Sequence, residues 1–166
     1  MELQLKSLSA TAIPEALQKA ERYRLLNEPW QAESICLDIL RVQPANQEAL
    51  IMLLLSITDD FDTHIDAPRA REVLSAIEGE YERAYYAGII FERAARARLK
   101  QGIPGANYKA YEEIRSAMRC YEEAEALRPP ANDDAILRWN TCARTLARNT
   151  ELRPQPVERM ETVLDD

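Results

Sequence analysis

The fold class is decided by residues 14–44, which read PEALQKAERYRLLNEPWQAESICLDILRVQP. Helix-favouring Ala, Leu, Glu, Arg and Gln dominate two segments of this stretch, and Asn27 to Pro29 interrupt the pattern between them. Proline is tolerated in the first turn of a helix and just beyond its end. The spacing therefore predicts helices from Pro14 to about Leu26 and from about Trp30 to Val42, joined by a short turn.

Similar punctuation along the rest of the chain predicts five more helices and an all-α fold. These helices run from Gln47 to Ile57, from a cap at Asp66 to Gly79, from about Glu80 to Gln101, from about Tyr108 to Leu127, and from caps at Asn132 to Asp134 to about Arg148. Pro68 would lie in the first turn of the fourth helix. The last residues, which contain Pro154 and Pro156, are predicted to form one short, loosely attached helix.

Charge and cysteine content narrow the class of function. The formal net charge of −7 would repel a phosphate backbone, so we expect no nucleic-acid partner. The strongest apolar run, Leu50 to Ile57, is too short to span a bilayer, so no membrane insertion is expected. Cys36, Cys120 and Cys142 are odd in number and lack metal-site spacing. Together with the absence of a signal-peptide pattern, they predict a cytoplasmic protein.

Successive helix pairs carry recurring residues in a fixed register. The first pair has Ala20, Tyr23, Ala32, Ile39 and Pro44; the second has Leu50, Leu53, Ile57, Ala70, Leu74 and Ile77; the third has Ala87, Gly88, Phe91, Ala117, Tyr121, Ala124 and Pro129. This register resembles the tetratricopeptide repeat (TPR) family, whose unit is a 34-residue helix hairpin. Lys19 replaces the usual leucine, the second unit lacks the closing proline, and the third is longer by about 17 residues than that unit.

The resemblance implies a right-handed solenoid of antiparallel helix hairpins, with about seven helices. It divides the chain into a single TPR domain over residues 1–150 and a C-terminal tail over residues 151–166. The repeats would cover about residues 13–46, 47–79 and 80–130, and a capping helix would cover about residues 133–148.

In this family the first helices of the repeats line a concave groove that takes an extended or helical segment of another protein. Carried over by register, the groove comprises Leu17, Glu21, Arg24, Glu48, Ile51, Leu55, Tyr85, Ile89 and Arg93. The apolar members would form its floor, and Arg24 and Arg93 would grip carboxylates at its edge. The alternative is that several of these residues pack against the lengthened third hairpin or the tail.

One version of the family clamps the C-terminal carboxylate of heat-shock chaperones with Lys and Asn side chains. Leu17, Glu21 and Met52 stand at the corresponding places, so that chemistry is missing and a hydrophobic ligand segment fits better. We therefore expect an adaptor or a chaperone-like protein. The rival hypothesis is a self-associating scaffold, a homodimer formed through the tyrosine-rich third hairpin and the tail.

Other polar clusters give little support for an enzyme, a metal site or a cofactor. The acidic turn from Asp59 to Asp66 contains His64, the only histidine, but lacks the glycine and closing glutamate of a calcium loop. It is interpreted as a solvated turn. No nucleophile motif or phosphate-binding glycine loop accompanies it, so we expect no catalysis. Trp30 is predicted to pack at the first turn and Trp139 to seal the last repeat.

Overall fold

A computed structural model describes residues 3–157. Within that range every regular element is an α-helix or a 3-10 turn, and there is no β-strand. Its α-helices are α1 (Ile13–Leu25), α2 (Pro29–Val42), α3 (Gln47–Asp59), α4 (Ala67–Ser75), α5 (Glu80–Gln101), α6 (Ala106–Leu127) and α7 (Asp134–Arg148). Single 3-10 turns occupy Ala10–Ala12 and Asp60–Asp62. The prediction of an all-helical chain with seven main helices is thereby confirmed.

Local signals account for where these helices begin and end. Proline occupies the first turn of α1, α2 and α4. The side chain of Asn46 caps α3 by accepting a hydrogen bond from the Ala49 amide at 2.9 Å. The side chain of Asp66 accepts one from the Arg69 amide at 3.3 Å, which confirms the predicted cap at Asp66. Gly102 ends α5 with a φ of +64°, a conformation that a side chain disfavours.

The predicted short helix near Pro154 and Pro156 falls only partly within the described residues. Residues 151–157 are not helical, and the remaining part lies outside the described range. Leu152 nevertheless packs into the core with 7% of its surface exposed. Asn107 donates a hydrogen bond to Glu151 at 3.2 Å, which fastens this part of the tail beside the start of α6.

Each helix packs against the next one along the chain, and α3 also contacts both α1 and α5. Salt bridges also connect helices that are separated by one helix along the chain. Glu33 on α2 pairs with Arg69 on α4, and Glu92 on α5 pairs with Arg138 on α7 at 3.2 Å. The first helices of successive pairs therefore lie beside one another, and one salt bridge connects α2 to α4.

Two main groups of buried side chains form the core, and α5 contributes to both. The first group contains side chains from all of the first five helices and includes Leu54, Ile57, Phe61, Ile77 and Ile90. The second joins α5 to α7 and the tail and includes Ile89, Ile114, Met118, Tyr121, Cys142 and Leu152. Because Ile89 and Ile90 are adjacent in sequence, two faces of one helix are buried against opposite ends of the protein.

The third hairpin is the longest element of the fold, since α5 and α6 have 22 residues each. At the helical rise each spans about 33 Å. The two helices approach closely at Gly88, where an added Cβ would lie 2.8 Å from two ring atoms of the fully buried Tyr121. Among the described residues, every helix is too short or too polar to cross a membrane.

Candidate functional site

A solvent-open depression lies between α1 and α3 and is lined by Leu17, Gln18, Glu21, Glu48, Ile51 and Met52. These residues recur at three- and four-residue intervals, so each helix turns one face toward the depression. The side chains of Leu17, Ile51 and Met52 are half-buried and form an apolar floor. Four of the predicted groove residues are thus brought together: Leu17, Glu21, Glu48 and Ile51.

Gln18 and Met52 line the same depression but were not among the predicted contacts. Gln18 directly follows Leu17 and lies three residues before Glu21. Met52 directly follows Ile51 and lies four residues after Glu48, so each shares a helix face with a predicted residue. A wider helical stripe around the predicted positions would have included both side chains.

The border of the depression is acidic. Glu21 on α1 and Glu48 on α3 are exposed, and neither carboxylate forms an ion pair with any residue in the range 3–157. The lining includes no lysine or arginine. An apolar floor is therefore bordered by two uncompensated negative charges, one from each helix.

Arg24 and Arg93 occupy a different role from the predicted one. Arg24 Nε donates to Asp59 Oδ2 at 2.7 Å, and Arg93 Nη1 lies 2.6 Å from Asp59 Oδ1. Arg93 also donates to the Leu55 carbonyl at 3.0 Å and to the Thr58 hydroxyl at 2.7 Å. Sequence reasoning assigned both guanidinium groups to a partner's carboxylates, whereas here both hold a carboxylate of the same chain.

Arg93 needs a negatively charged partner, because its side chain is largely buried. The side chains of Arg93 and Asp59 are 12% and 22% exposed. Desolvation lowers the pKa of Arg93, and the neighbouring Asp59 carboxylate opposes that effect. The two ion pairs join α1, α3 and α5, so the contacts of Arg24 and Arg93 belong to the framework of the fold.

Three further positions of the predicted groove, Leu55 on α3 and Tyr85 and Ile89 on α5, pack within the fold. Ile89 is 1% exposed and packs in the second core group, and Leu55 and Tyr85 pack against that group while half-buried. These positions follow the packing alternative, because the lengthened third hairpin and α7 cover the face that the register assigned to a ligand. The part of the predicted groove that stays open is accordingly the α1–α3 depression.

A tyrosine group on α5 has structural partners. The rings of Tyr81 and Tyr85 stack with centroids 5.9 Å apart, and the Tyr85 and Tyr121 centroids are also 5.9 Å apart. The Tyr121 hydroxyl donates to Glu92 at 2.5 Å. Burial raises the pKa of Tyr86 to about 12. The pKa of Tyr121 is also raised, mainly by burial and next by the negative charge of Glu92. The rings of Tyr85, Tyr86 and Tyr121 pack within the fold.

The acidic turn is partly internal. The predicted solvated turn begins inside α3, since Asp59 forms the arginine contacts described above, and Phe61 is 1% exposed. Asp62 pairs with Lys100, and His64 is exposed. Residues 3–157 contain no group of three His, Cys, Asp or Glu side chains placed to hold a metal ion.

The two tryptophans differ in their environment. Trp30 is 72% exposed, so the prediction that it packs at the first turn is wrong: the short turn leaves no helix across the start of α2. Leu25 and Leu26, at the end of α1 before the same turn, are 83% and 61% exposed. Trp139 packs against the second core group and donates to Glu122 at 2.9 Å, in agreement with its predicted sealing position.

Comparison with protein-family models, with curated proteins and with solved structures finds no match to this chain. The candidate site is therefore defined by the geometry of the chain's own residues. Its central feature is the open apolar depression between α1 and α3, with Glu21 and Glu48 at its border.

Proposed function

We propose that this protein is a TPR-type interaction module, an adaptor or chaperone, that binds a segment of a partner protein between its first helices. The observation that carries the proposal is the solvent-open apolar depression lined by Leu17, Ile51 and Met52. An apolar side chain of a partner would bury surface against this floor, which favours binding by about 25 cal/mol per Å². Grooves between helices commonly take helical or extended segments in this way.

The proposed architecture is a right-handed TPR solenoid with α7 as its capping helix. The contacts of α3 with α1 and α5 support stacking of hairpins, as does the bridge from Glu33 to Arg69 between α2 and α4. The burial of Ala135 and Cys142 on α7 against the third hairpin supports a capping role, while Leu137 on the same helix is 62% exposed. The proposal also includes a cytoplasmic site of action without catalysis.

The decisive variant is Ile51→Asp, which places a charge on the apolar floor. Leu55 is a poorer target, because it does not line the depression and packs against the second core group instead. The matched control is Leu37→Asp, a change on α2 at a side chain that is 41% exposed and does not line the depression. Both variants should keep the wild-type helical circular dichroism.

Affinity capture from a lysate of the source cells then compares the three proteins. A partner held by the wild type and by Leu37→Asp, but lost from Ile51→Asp, supports binding in the depression. Equal capture by all three proteins would reject that site. If Ile51→Asp unfolds, Leu17→Asp tests the opposite wall, since Leu17 is also half-buried.

Self-association is the second candidate, and the observation that favours it lies on the first hairpin. Three large apolar side chains, Leu25, Leu26 and Trp30, are mostly exposed there. The turn of the third hairpin has one such side chain, Ile103, which is 60% exposed. Exposed apolar side chains of this size often belong to interfaces. Light scattering at several concentrations separates the candidates, because a constant monomer mass would rule out self-association.

A further inference from the structure

We infer that the α1–α3 depression selects segments in which an apolar side chain is flanked by lysine or arginine. This inference rests on the proposed function and adds the chemical class of the ligand. It starts from the floor, where Leu17, Ile51 and Met52 offer no charged group to a ligand. The central side chain of a bound segment is therefore apolar, since a polar group buried there would lose its hydrogen bonds to water.

The border supplies the selectivity. Glu21 and Glu48 lie on opposite helices, so a segment seated on the floor passes between two carboxylates. Neither carboxylate has an ion-pair partner within residues 3–157. Lysine or arginine beside the apolar anchor would complete charge-assisted hydrogen bonds, while aspartate or glutamate there would be repelled.

Arg24 lies about one helical turn after Glu21 on α1, and its guanidinium group is committed to contacts within the chain. Its Nε donates to Asp59 Oδ2 at 2.7 Å, and its Nη1 lies 3.9 Å from Met52 Sδ. Arg93, the other cation that the register places on this face, is bonded to the same carboxylate. Both cations that would have attracted an acidic segment are held by the single carboxylate of Asp59, whereas Glu21 and Glu48 form no ion pair within residues 3–157.

The charge of the whole chain acts in the same direction. A net charge of −7 attracts a basic segment over distances beyond direct contact and slows the approach of an acidic one. The attraction should weaken as salt is raised, because the border carboxylates are exposed. Apolar anchoring gives affinity, and the charged border decides which apolar segments are accepted.

A random peptide display library provides the first test. Peptides selected on the wild type are counter-screened on the folded Ile51→Asp variant, so that only depression-dependent sequences are read. Enrichment of Lys and Arg beside an apolar residue supports the inference. Enrichment of neutral or acidic neighbours overturns it while leaving the proposed function intact. If no selected peptide depends on Ile51, the proposed function fails and the inference fails with it.

Charge reversal provides the second test, with the best selected peptide as a fluorescent probe. Glu21→Lys/Glu48→Lys should weaken binding about tenfold, since two exposed attractions become repulsions. The control Glu112→Lys/Glu123→Lys changes two exposed glutamates on α6. Each double variant moves the net charge from −7 to −3, because each substitution adds two positive charges. Equal weakening by both would overturn a role for Glu21 and Glu48.

Discussion

Arg24 and Arg93 bind the same carboxylate from opposite sides. Arg24, near the end of α1, meets Asp59 Oδ2 at 2.7 Å, and Arg93, on α5, lies 2.6 Å from Asp59 Oδ1. Asp59 is the last residue of α3, so one side chain connects the first helices of three successive hairpins. Both carboxylate oxygens are used, and neither arginine can be left without its partner at low cost.

Replacing Asp59 by Asn should therefore destabilise the protein by about 3 kcal/mol, because Arg93 would keep its charge in a largely buried position. The control is Asp62→Asn, which removes the exposed pair with Lys100 and should cost about 0.5 kcal/mol. Urea unfolding followed by circular dichroism measures both values. Similar losses in the two variants would show that the Asp59 contacts contribute no more than a surface ion pair.

Gly88→Ala should also destabilise the protein, by about 2 kcal/mol, although alanine is the better helix former by about 1 kcal/mol. The new Cβ would lie 2.8 Å from Tyr121 ring atoms in a fully buried position. Gly79→Ala is the control, since its Cβ would meet only the flexible end of Glu82. Thermal unfolding tests the sign: a higher melting temperature for Gly88→Ala would exclude tight packing of α5 on α6.

The cysteines should make the protein less stable as pH rises above 9. Burial raises the pKa of the Cys36 and Cys142 thiols from 9.0 to about 12. Between these values the unfolded chain releases thiol protons that the folded chain retains, so the free energy of unfolding falls with pH. The melting temperature should decline less steeply from pH 8 to 11 in Cys36→Ala/Cys142→Ala. Parallel profiles for wild type and variant would contradict this assignment.

Tryptophan fluorescence should separate the two indole environments. In Trp139→Phe, only Trp30 remains; because it is 72% exposed, acrylamide should quench it almost as efficiently as free N-acetyltryptophanamide. In Trp30→Phe, Trp139 is half-buried and bonded to Glu122, so quenching should be clearly weaker. Equal quenching in the two single-tryptophan proteins would mean that the start of α2 is covered in solution.

Helix positions were predictable from sequence because their signals are local. Pro14, Pro29 and Pro68 fix first turns, Asp66 caps the helix that follows it, and Gly102 ends α5. Predicted and observed boundaries accordingly differ by only a few residues. The lengths of α5 and α6 were also predictable, since no proline interrupts either helix.

The candidate site was predictable only in part. Register placed Leu17, Glu21 and Ile51 on one face, and they line one depression. The partners of Arg24 and Arg93 were not predicted, because Asp59 reads in sequence as one carboxylate of a solvated turn. Ile89 has the same register as the open position Glu21, but its burial depends on α7 and the long hairpin, which are distant contacts.

The position of α5 determines how the protein unfolds. Its two buried faces belong to different core groups, with Ile90 in one and Ile89 in the other. A row of hairpins joined only to nearest neighbours could melt from one end while the other stayed intact. Here neither half can come apart without exposing a face of α5. Thermal transitions followed by far-ultraviolet circular dichroism and by tryptophan fluorescence should therefore coincide, as expected of a single cooperative unit.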